Sequence, residues 1–579
     1  MAAIGKSHAS LVTACASTLF IGTALLSSAS LAWAAWPSDP TVNLAICTSA
    51  HDQTNPKACS DGAGGVIITW QDDRSDGVSL DVYAQRVNLA GLVQWTANGV
   101  AVSTAAQDQL TPVIAADGAG GAIVAWEDFS VGPGTSIFAQ LLNSSGAPQW
   151  TANGVSLSGS TGSGNPVIVS DGAGGAFVAW EVINTGPAYD VRLQHVTSSG
   201  AIASGWPADG LALTVASGDH LNPVICSDGA GGAIVAWQTG ATIGTNDVFA
   251  QRVSAAGGSL WGASGVGVSA AVNAQYMPEI DADGSGGAVV VWQDTRNTTY
   301  DAYAQRLNSA GVAQWTAQGV AVCPGFHGLV SPSIVADGAG GAIVSWQDGR
   351  NASTGSDIYA QRLDGATGAP QWTAGGVALC NASGTQQFTT MTTDGLHGAI
   401  VTWNDMRFNN DVYAQRVSGA GTVQWTTDGA AISDASLYQE SPTIVTNGAG
   451  GALLAWQDSR SLAGWDIYAQ NVNADGSLGG TLVSVAPIAA SVQLAVRPAF
   501  ANPSTAGLVL EFSLPDDAPA VLEVFDLNGR RVDSEEVGTL GAGAHVITIA
   551  RARALPPGVY GVRLEQGSRV ALTKAVLLR

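Results

Sequence analysis

Seven short segments of this chain depart from an otherwise regular sequence, and they are rich in amides, carboxylates, imidazoles and rings: His51-Asp52-Gln53, Gln107-Asp108-Gln109, Asp219-His220, Gln275-Tyr276, Phe326-His327, Gln386-Gln387-Phe388 and Tyr438-Gln439-Glu440. Planar amides and carboxylates pair with hydroxyls and peptide groups, and aromatic faces cover apolar surface, so this mixture suits a carbohydrate or peptide ligand. Metal chemistry is less well served. His51, His220 and His327 fall in segments that are not neighbours, so meeting at one ion requires long reaches. Ca2+ is the cation the acidic loops would suit, yet none spaces its oxygens as an EF-hand loop does. The sequence holds no Gly-x-Ser-x-Gly elbow, phosphate-binding loop or Cys-x-x-Cys pair, and so marks no catalytic residue, metal ligand or cofactor.

These segments are set in a repeat. The turn Asp-Gly-Ala-Gly-Gly and its variants begin at Asp61, Asp117, Asp171, Asp228, Asp283, Asp337, Asp394 and Asn447, in steps of 53 to 57 residues. The sixth copy shows the grammar: strands are expected over Pro332 to Ala336, Ala342 to Trp346, Asp357 to Leu363 and Gly376 to Cys380, with Gly-rich turns between. Bulky residues alternate or form short runs, and no stretch after the leader keeps a helical period. Four antiparallel strands per copy predict an all-β, eight-bladed β-propeller, whose blades are covered on both faces by their neighbours. The variable segments are then the links that run from the last strand of one blade to the first strand of the next, gathered on one face.

The ends of the repeat region complement each other. The eighth copy stops after Asp466 to Val472, while Trp36-Pro37 and Asn43 to Cys47 align with Trp315 and Gly319 to Cys323. An N-terminal strand closing the last blade is expected, which removes an exposed sheet edge; Thr481 to Val485 is the alternative for that place. Sixteen tryptophans recur in two series, from Trp70 to Trp456 and from Trp36 to Trp425, and read as packing between blades. Gln85, Gln140, Gln194, Gln251, Gln305, Gln361, Gln415 and Gln470 recur mid-strand, where each amide is expected to bond the backbone of the adjacent blade. Asp72 with Arg74, and its counterparts up to Asp458 with Arg460, read as turn ion pairs contributing about 0 to 1 kcal/mol. Copies two to four lack that Arg.

Residues 1–34 read as a secretory signal: Lys6 and His8, an apolar run, then Ala32-Trp33-Ala34 before Ala35. Val12-Thr13-Ala14-Cys15 superficially resembles a lipoprotein box, but too little apolar sequence precedes it. The net charge of −23 repels nucleic acid and anionic membrane surface, and no later segment is long enough to span a bilayer as a helix. A secreted or surface-attached protein is expected. Beyond Cys15 stand Cys47, Cys59, Cys226, Cys323 and Cys380; Cys47 and Cys59 either form a disulfide at the closure point or are independent substitutions within the repeat.

The repeats occupy 35–490, and over 491–579 the grammar changes: Trp disappears and charge rises. Strands are expected at Leu508 to Ser513, Val521 to Asp526, His545 to Ala550, Val559 to Leu564 and Ala571 to Leu578, a small β-sandwich. Asn502-Pro503-Ser504, Phe512-Ser513-Leu514-Pro515, Val524 to Val532, Leu555 to Tyr560 and Lys574 to Arg579 resemble the C-terminal sorting domain of type IX secretion cargo. That resemblance implies an immunoglobulin-like address module read by an outer-membrane translocon, and says nothing of what the cargo does. The repeats do not keep the spacing of the sialidase Asp-box. Their regularity favours a binding or adhesion protein whose ligand is a glycan, peptide or protein; the alternatives are a polysaccharide-acting hydrolase or lyase and a purely structural surface protein.

Overall fold

The computed structural model describes residues 36–132, 134–159, 162–183, 188–214, 218–240, 245–325, 328–351, 355–479, 494–498, 509–516, 518–527, 529–538, 543–549, 556–567 and 569–577. The expected signal segment, Phe326, His327, the alternative closing strand Thr481 to Val485, Asn502-Pro503-Ser504 and Leu555 lie outside the described residues.

Each copy forms one open, four-stranded antiparallel sheet, and eight such sheets succeed one another. In the sixth the strands are Leu329–Ala336, Ala342–Asp348, Asp357–Leu363 and Val377–Cys380. The Asp-Gly turn joins its first two strands for a definable reason. Asp337 Oδ1 accepts the backbone N–H groups of Ala339 and Gly341, both at 2.8 Å, which coils the chain through φ values of 69° and 83° at Gly338 and Gly340 that L side chains resist. Asp337 Oδ2 then receives Arg362 at 2.8 Å, so the turn is tied to the third strand.

The eighth sheet takes its fourth strand from the chain start: Leu44–Cys47 pairs antiparallel with Asp466–Val472. First strands of successive sheets lie side by side, and Gln439–Thr446 of the eighth lies against Gln53–Ser60 of the first. The tryptophans of one series stitch the joints: Trp95 Nε1 donates to Ser144 O at 3.1 Å, Trp425 to Ala474 O at 3.0 Å, and Trp36, in the eighth sheet, to Leu89 O of the first at 3.0 Å. Apolar cores form between sheets, as where Trp36, Ile46 and Leu453 meet Val66, Ile68 and Trp70. The series of sheets therefore returns on itself.

Three expectations change. The mid-strand glutamines bond chiefly within their own repeat: Gln85 Nε2 donates to Thr96 O at 2.7 Å, and its Oε1 accepts Trp95 N–H at 3.0 Å, because the chain returns through the Gln-Trp link directly opposite. The Asp–Arg pairs are not exposed. Asp348 is fully buried, accepts Trp346 Nε1 at 2.7 Å and Arg350 Nε at 2.8 Å, and Arg350 lies 4.1 Å over the Tyr359 ring. Cys47 and Cys59 are free thiols; Cys47 lies 3.0 Å from Arg74 Nη2.

In the C-terminal region the sheets Ala495–Pro498, Val509–Leu514, Gly543–Thr548 and Arg531–Glu536, Ala520–Phe525, Gly558–Gln566, Arg569–Leu577 share one core that includes Leu510, Phe512, Leu522, Val562 and Leu577. The sequence reading missed two of these strands, Ala495–Pro498 and Arg531–Glu536: one follows the long segment between the two regions, and the other carries charges at most positions. Tyr560 Oη donates to Pro556 O at 2.7 Å, fixing the turn into its strand.

Candidate functional site

The structure divides the link residues into two groups. Gln53, Gln109, Gln275, Gln386 and Gln439 open first strands and are fully buried. Their amides hold the link from within: Gln109 Nε2 donates to Gln107 O at 2.8 Å and Gln275 Nε2 to Asn273 O at 3.1 Å. Gln439, with its amide turned to match its surroundings, reaches Ala435 O at 3.3 Å and Asp411 Oδ1 at 3.2 Å. His220 takes the same register in the fourth sheet, is buried, and lies 3.1 Å from Asp190 Oδ1. These side chains face inward and offer no surface to a ligand.

The carboxylates brace joints. Asp52 Oδ1 accepts Trp465 N–H at 2.9 Å, Asp108 Oδ1 accepts Leu80 N–H at 3.0 Å, Asp219 Oδ1 accepts Tyr189 N–H at 3.1 Å and Glu440 accepts Asn410 Nδ2 at 2.7 Å. His51, Gln107 and Tyr438 are exposed and Tyr276 is half-buried. Two rings outside the sequence-read set or at its margin join them, Phe388 at 61% and Phe408 at 82% exposure, beside Tyr438 at 54%. Tyr438 is pinned by Ser459, whose N–H donates to Tyr438 O at 2.9 Å, and by pairing with Asn410, two residues after Phe408.

Two features were hidden from sequence reading. Every first strand contains a bulge whose central residue has φ between 46° and 56°: Asn55, Thr111, Asn165, Asn222, Met277, Ser331, Phe388 and Ser441. None is glycine. The preceding sheet holds the bulge: Gln71 Oε1 accepts Thr111 N–H at 3.2 Å, Glu127 accepts Asn165 N–H at 2.7 Å, Glu181 accepts Asn222 N–H at 2.7 Å and Gln238 accepts Met277 N–H at 2.9 Å. Such over-determined strain persists where surrounding bonds fix it.

Two residues beyond six of the bulges the chain lines a central cavity of about 280 Å³, walled by Lys57, Val113, Val167, Val224, Glu279 and Thr443. Lys57 and Glu279 reach solvent inside it. Enclosure pushes the Glu279 carboxyl up to about 7, against the downward pull of Lys57, and pushes the Lys57 ammonium down, against the upward pull of Glu279. Asp281, two residues on, spends its oxygens on Ala282 N–H and Ala336 N–H at 2.8 and 2.7 Å.

A second cavity of about 410 Å³ opens at the end bearing the Asp-Gly turns, lined by Asp281, Met391, Thr392, Thr393 and His397 among others. His397 has φ 66° where the other seven copies have glycine, and its Nδ1 lies 2.7 Å from Asp337 O. Among the described residues no group of three or more His, Cys, Asp or Glu is placed to hold a metal ion, and no helix is long and apolar enough to cross a membrane.

No protein-family model matches the chain, and no curated protein matches it. Solved structures that share features with it include a polysaccharide lyase of family PL25, an ulvan lyase bound to -[GlcA(1-4)Rha3S]-, at 12% identity, covering 76% of this chain and 98% of that one with a TM-score of 0.43. The BP39L lectin from Burkholderia pseudomallei is similar at 13% identity, over 62% of this chain and 94% of the lectin, with a TM-score of 0.39. An α-L-arabinanase from Penicillium chrysogenum complexed with arabinobiose is similar at 12% identity, over 55% and 94%, with a TM-score of 0.31. At these identities and scores none of them assigns an activity to this chain.

Proposed function

We propose that this chain is an exported glycan-binding protein, built as an eight-bladed β-propeller whose link-bearing face carries the ligand. The observation that carries the reading is the exposure of three rings at the seventh sheet and its joint with the eighth, Phe388, Phe408 and Tyr438, of which Tyr438 stands on backbone held by Ser459 and by its bridge to Asn410. Rings exposed on pinned backbone stack on the apolar face of a pyranose at little entropic cost, and Gln387 beside Phe388 supplies an amide for hydroxyls. The C-terminal sandwich acts as the address for type IX export, with the translocon as its partner, and the mature chain works outside the cell, free or attached to the surface.

A hydrolase or lyase ranks second: glycoside hydrolysis asks for two free carboxyls, and Asp281 beside Glu279 is engaged by backbone N–H groups. The test is a glycan-array screen of the purified chain from Ala35 onward, with and without Ca2+. Saturable binding that falls about tenfold or more in Phe408→Ala and Tyr438→Ala supports the reading; retained binding in both, or no binding by folded protein, defeats it. For export, residues 491–579 fused to a reporter are expected to reach the medium or cell surface only in a host with a working type IX system.

A further inference from the structure

The eight copies provide an internal standard for each position. At the fifth position of the bulged first strands, counting from Gln53, stand Lys57, Val113, Val167, Val224, Glu279, Ser333, Thr390 and Thr443. Only two of these are charged, and they belong to the first and fifth of eight successive sheets, so they face each other across the central cavity. Between them the register divides into unlike halves. Sheets two to four give three valines, and sheets six to eight give three hydroxyls.

Repeat drift alone scatters charges; it does not place one cation opposite one anion with three valines lining one side of the cavity and the hydroxyl of Thr443 on the other. Neither charge has a hydrogen-bond or ion-pair partner within 4.0 Å among the described residues. Both side chains are exposed to the cavity, so their charges are free to meet those of a ligand. A molecule that answers all four surfaces carries a carboxylate at one end, an ammonium at the other, an apolar edge and a hydrogen-bonding edge.

We propose that the central cavity binds a short zwitterionic peptide of the dipeptide class, its carboxylate at Lys57, its ammonium at Glu279, its side chains on Val113, Val167 and Val224, and its peptide group toward Thr443. The volume of about 280 Å³ holds a small peptide and little more, near the lower end of ligand pockets. This site is separate from the rings proposed to hold glycan.

The test uses the full mature chain and titration calorimetry with alanine, dialanine and trialanine, together with N-acetyl-dialanine and dialanine amide, which each remove one end charge. Dialanine or trialanine is expected to bind saturably, and each blocked form at least tenfold more weakly. Lys57→Met is expected to lose the preference for a free carboxylate and Glu279→Gln the preference for a free ammonium. The swapped variant Lys57→Glu/Glu279→Lys is expected to restore binding, which distinguishes recognition from simple misfolding. No binding of any zwitterion at millimolar concentration by folded protein, or binding indifferent to end-blocking, overturns the proposal.

Discussion

At the scale of single residues, the chain spends its most conspicuous chemistry on packing. Trp292 Nε1 donates to Asp294 at 2.8 Å, Arg296 Nε donates to the same carboxylate at 2.9 Å, and the guanidinium lies 3.7 Å over Tyr303. The unit recurs wherever the Arg is present; in the third sheet Val182 replaces the Asp and Trp180 Nε1 is left unsatisfied. Removing one partner strands a buried charge, so Asp348→Ala is expected to cost about 3 to 5 kcal/mol, read as a fall in melting temperature. The exposed pair Arg569–Asp516 sets the contrast, with a loss of about 0 to 1 kcal/mol expected. Asp81 and Asp411 are nearly inaccessible, and burial, joined at Asp411 by the charge of Asp434, pushes both carboxyls up to about 6 from 3.8. Their folded-state values lie above the unfolded one, so the native state takes up these protons first. The stability they contribute grows as pH falls from about 6 toward 3.8 and is lost as pH rises through 6. In Asp81→Asn/Asp411→Asn that part of the slope is expected to vanish when melts are compared with those of the parent protein across this range.

At the scale of elements, the glycines before the fourth strands have a specific duty. Gly319 has φ 86°, and a Cβ there would lie 2.5 Å from the Trp292 ring. Gly319→Ala must both strain the backbone and displace a buried indole, so a loss of about 1 to 3 kcal/mol is expected in chemical unfolding. The same close approach recurs at Gly99, Gly154 and Gly429. The strand pattern and the Asp-Gly turns were legible in the sequence because alternation and turn chemistry are local. The bulges were not. Asn55 or Thr111 at positive φ is stabilised by an acceptor on the preceding sheet, as Gln457 Oε1 accepts Asn55 N–H at 3.0 Å and Gln71 Oε1 accepts Thr111 N–H at 3.2 Å, and such a partner lies at least 38 residues away in the chain.

At the scale of the molecule, closure makes the two ends of the repeat region interdependent. Removing residues 36–47 would expose the edge of Asp466–Val472 and uncover Trp70 and Leu453, which pack beneath Trp36 and Ile46. The shortened chain is expected to lose its cooperative thermal transition and to associate through the free edge, measured by calorimetry and size-exclusion chromatography. Retention of a monomeric, cooperative fold would show that another segment fills the place.

The sequence by itself determined the repeat, the strands within it and the change of grammar after residue 490, because each rests on periodicity or on turn residues that act on their immediate neighbours, while the strand that completes the eighth sheet was left between two segments until the pairing of Leu44–Cys47 with Asp466–Val472 decided it. Only the tertiary structure decided which polar residues face outward. Gln53 and Gln439, read from their types as ligand groups, are fully buried, while Lys57 and Glu279, unremarked within their strands, share one central cavity. Residue type specifies what a side chain can bond. Whether it meets a ligand or its own backbone depends on how the bulges rotate each strand and on what the ring brings opposite, a long-range matter that no local pattern encodes.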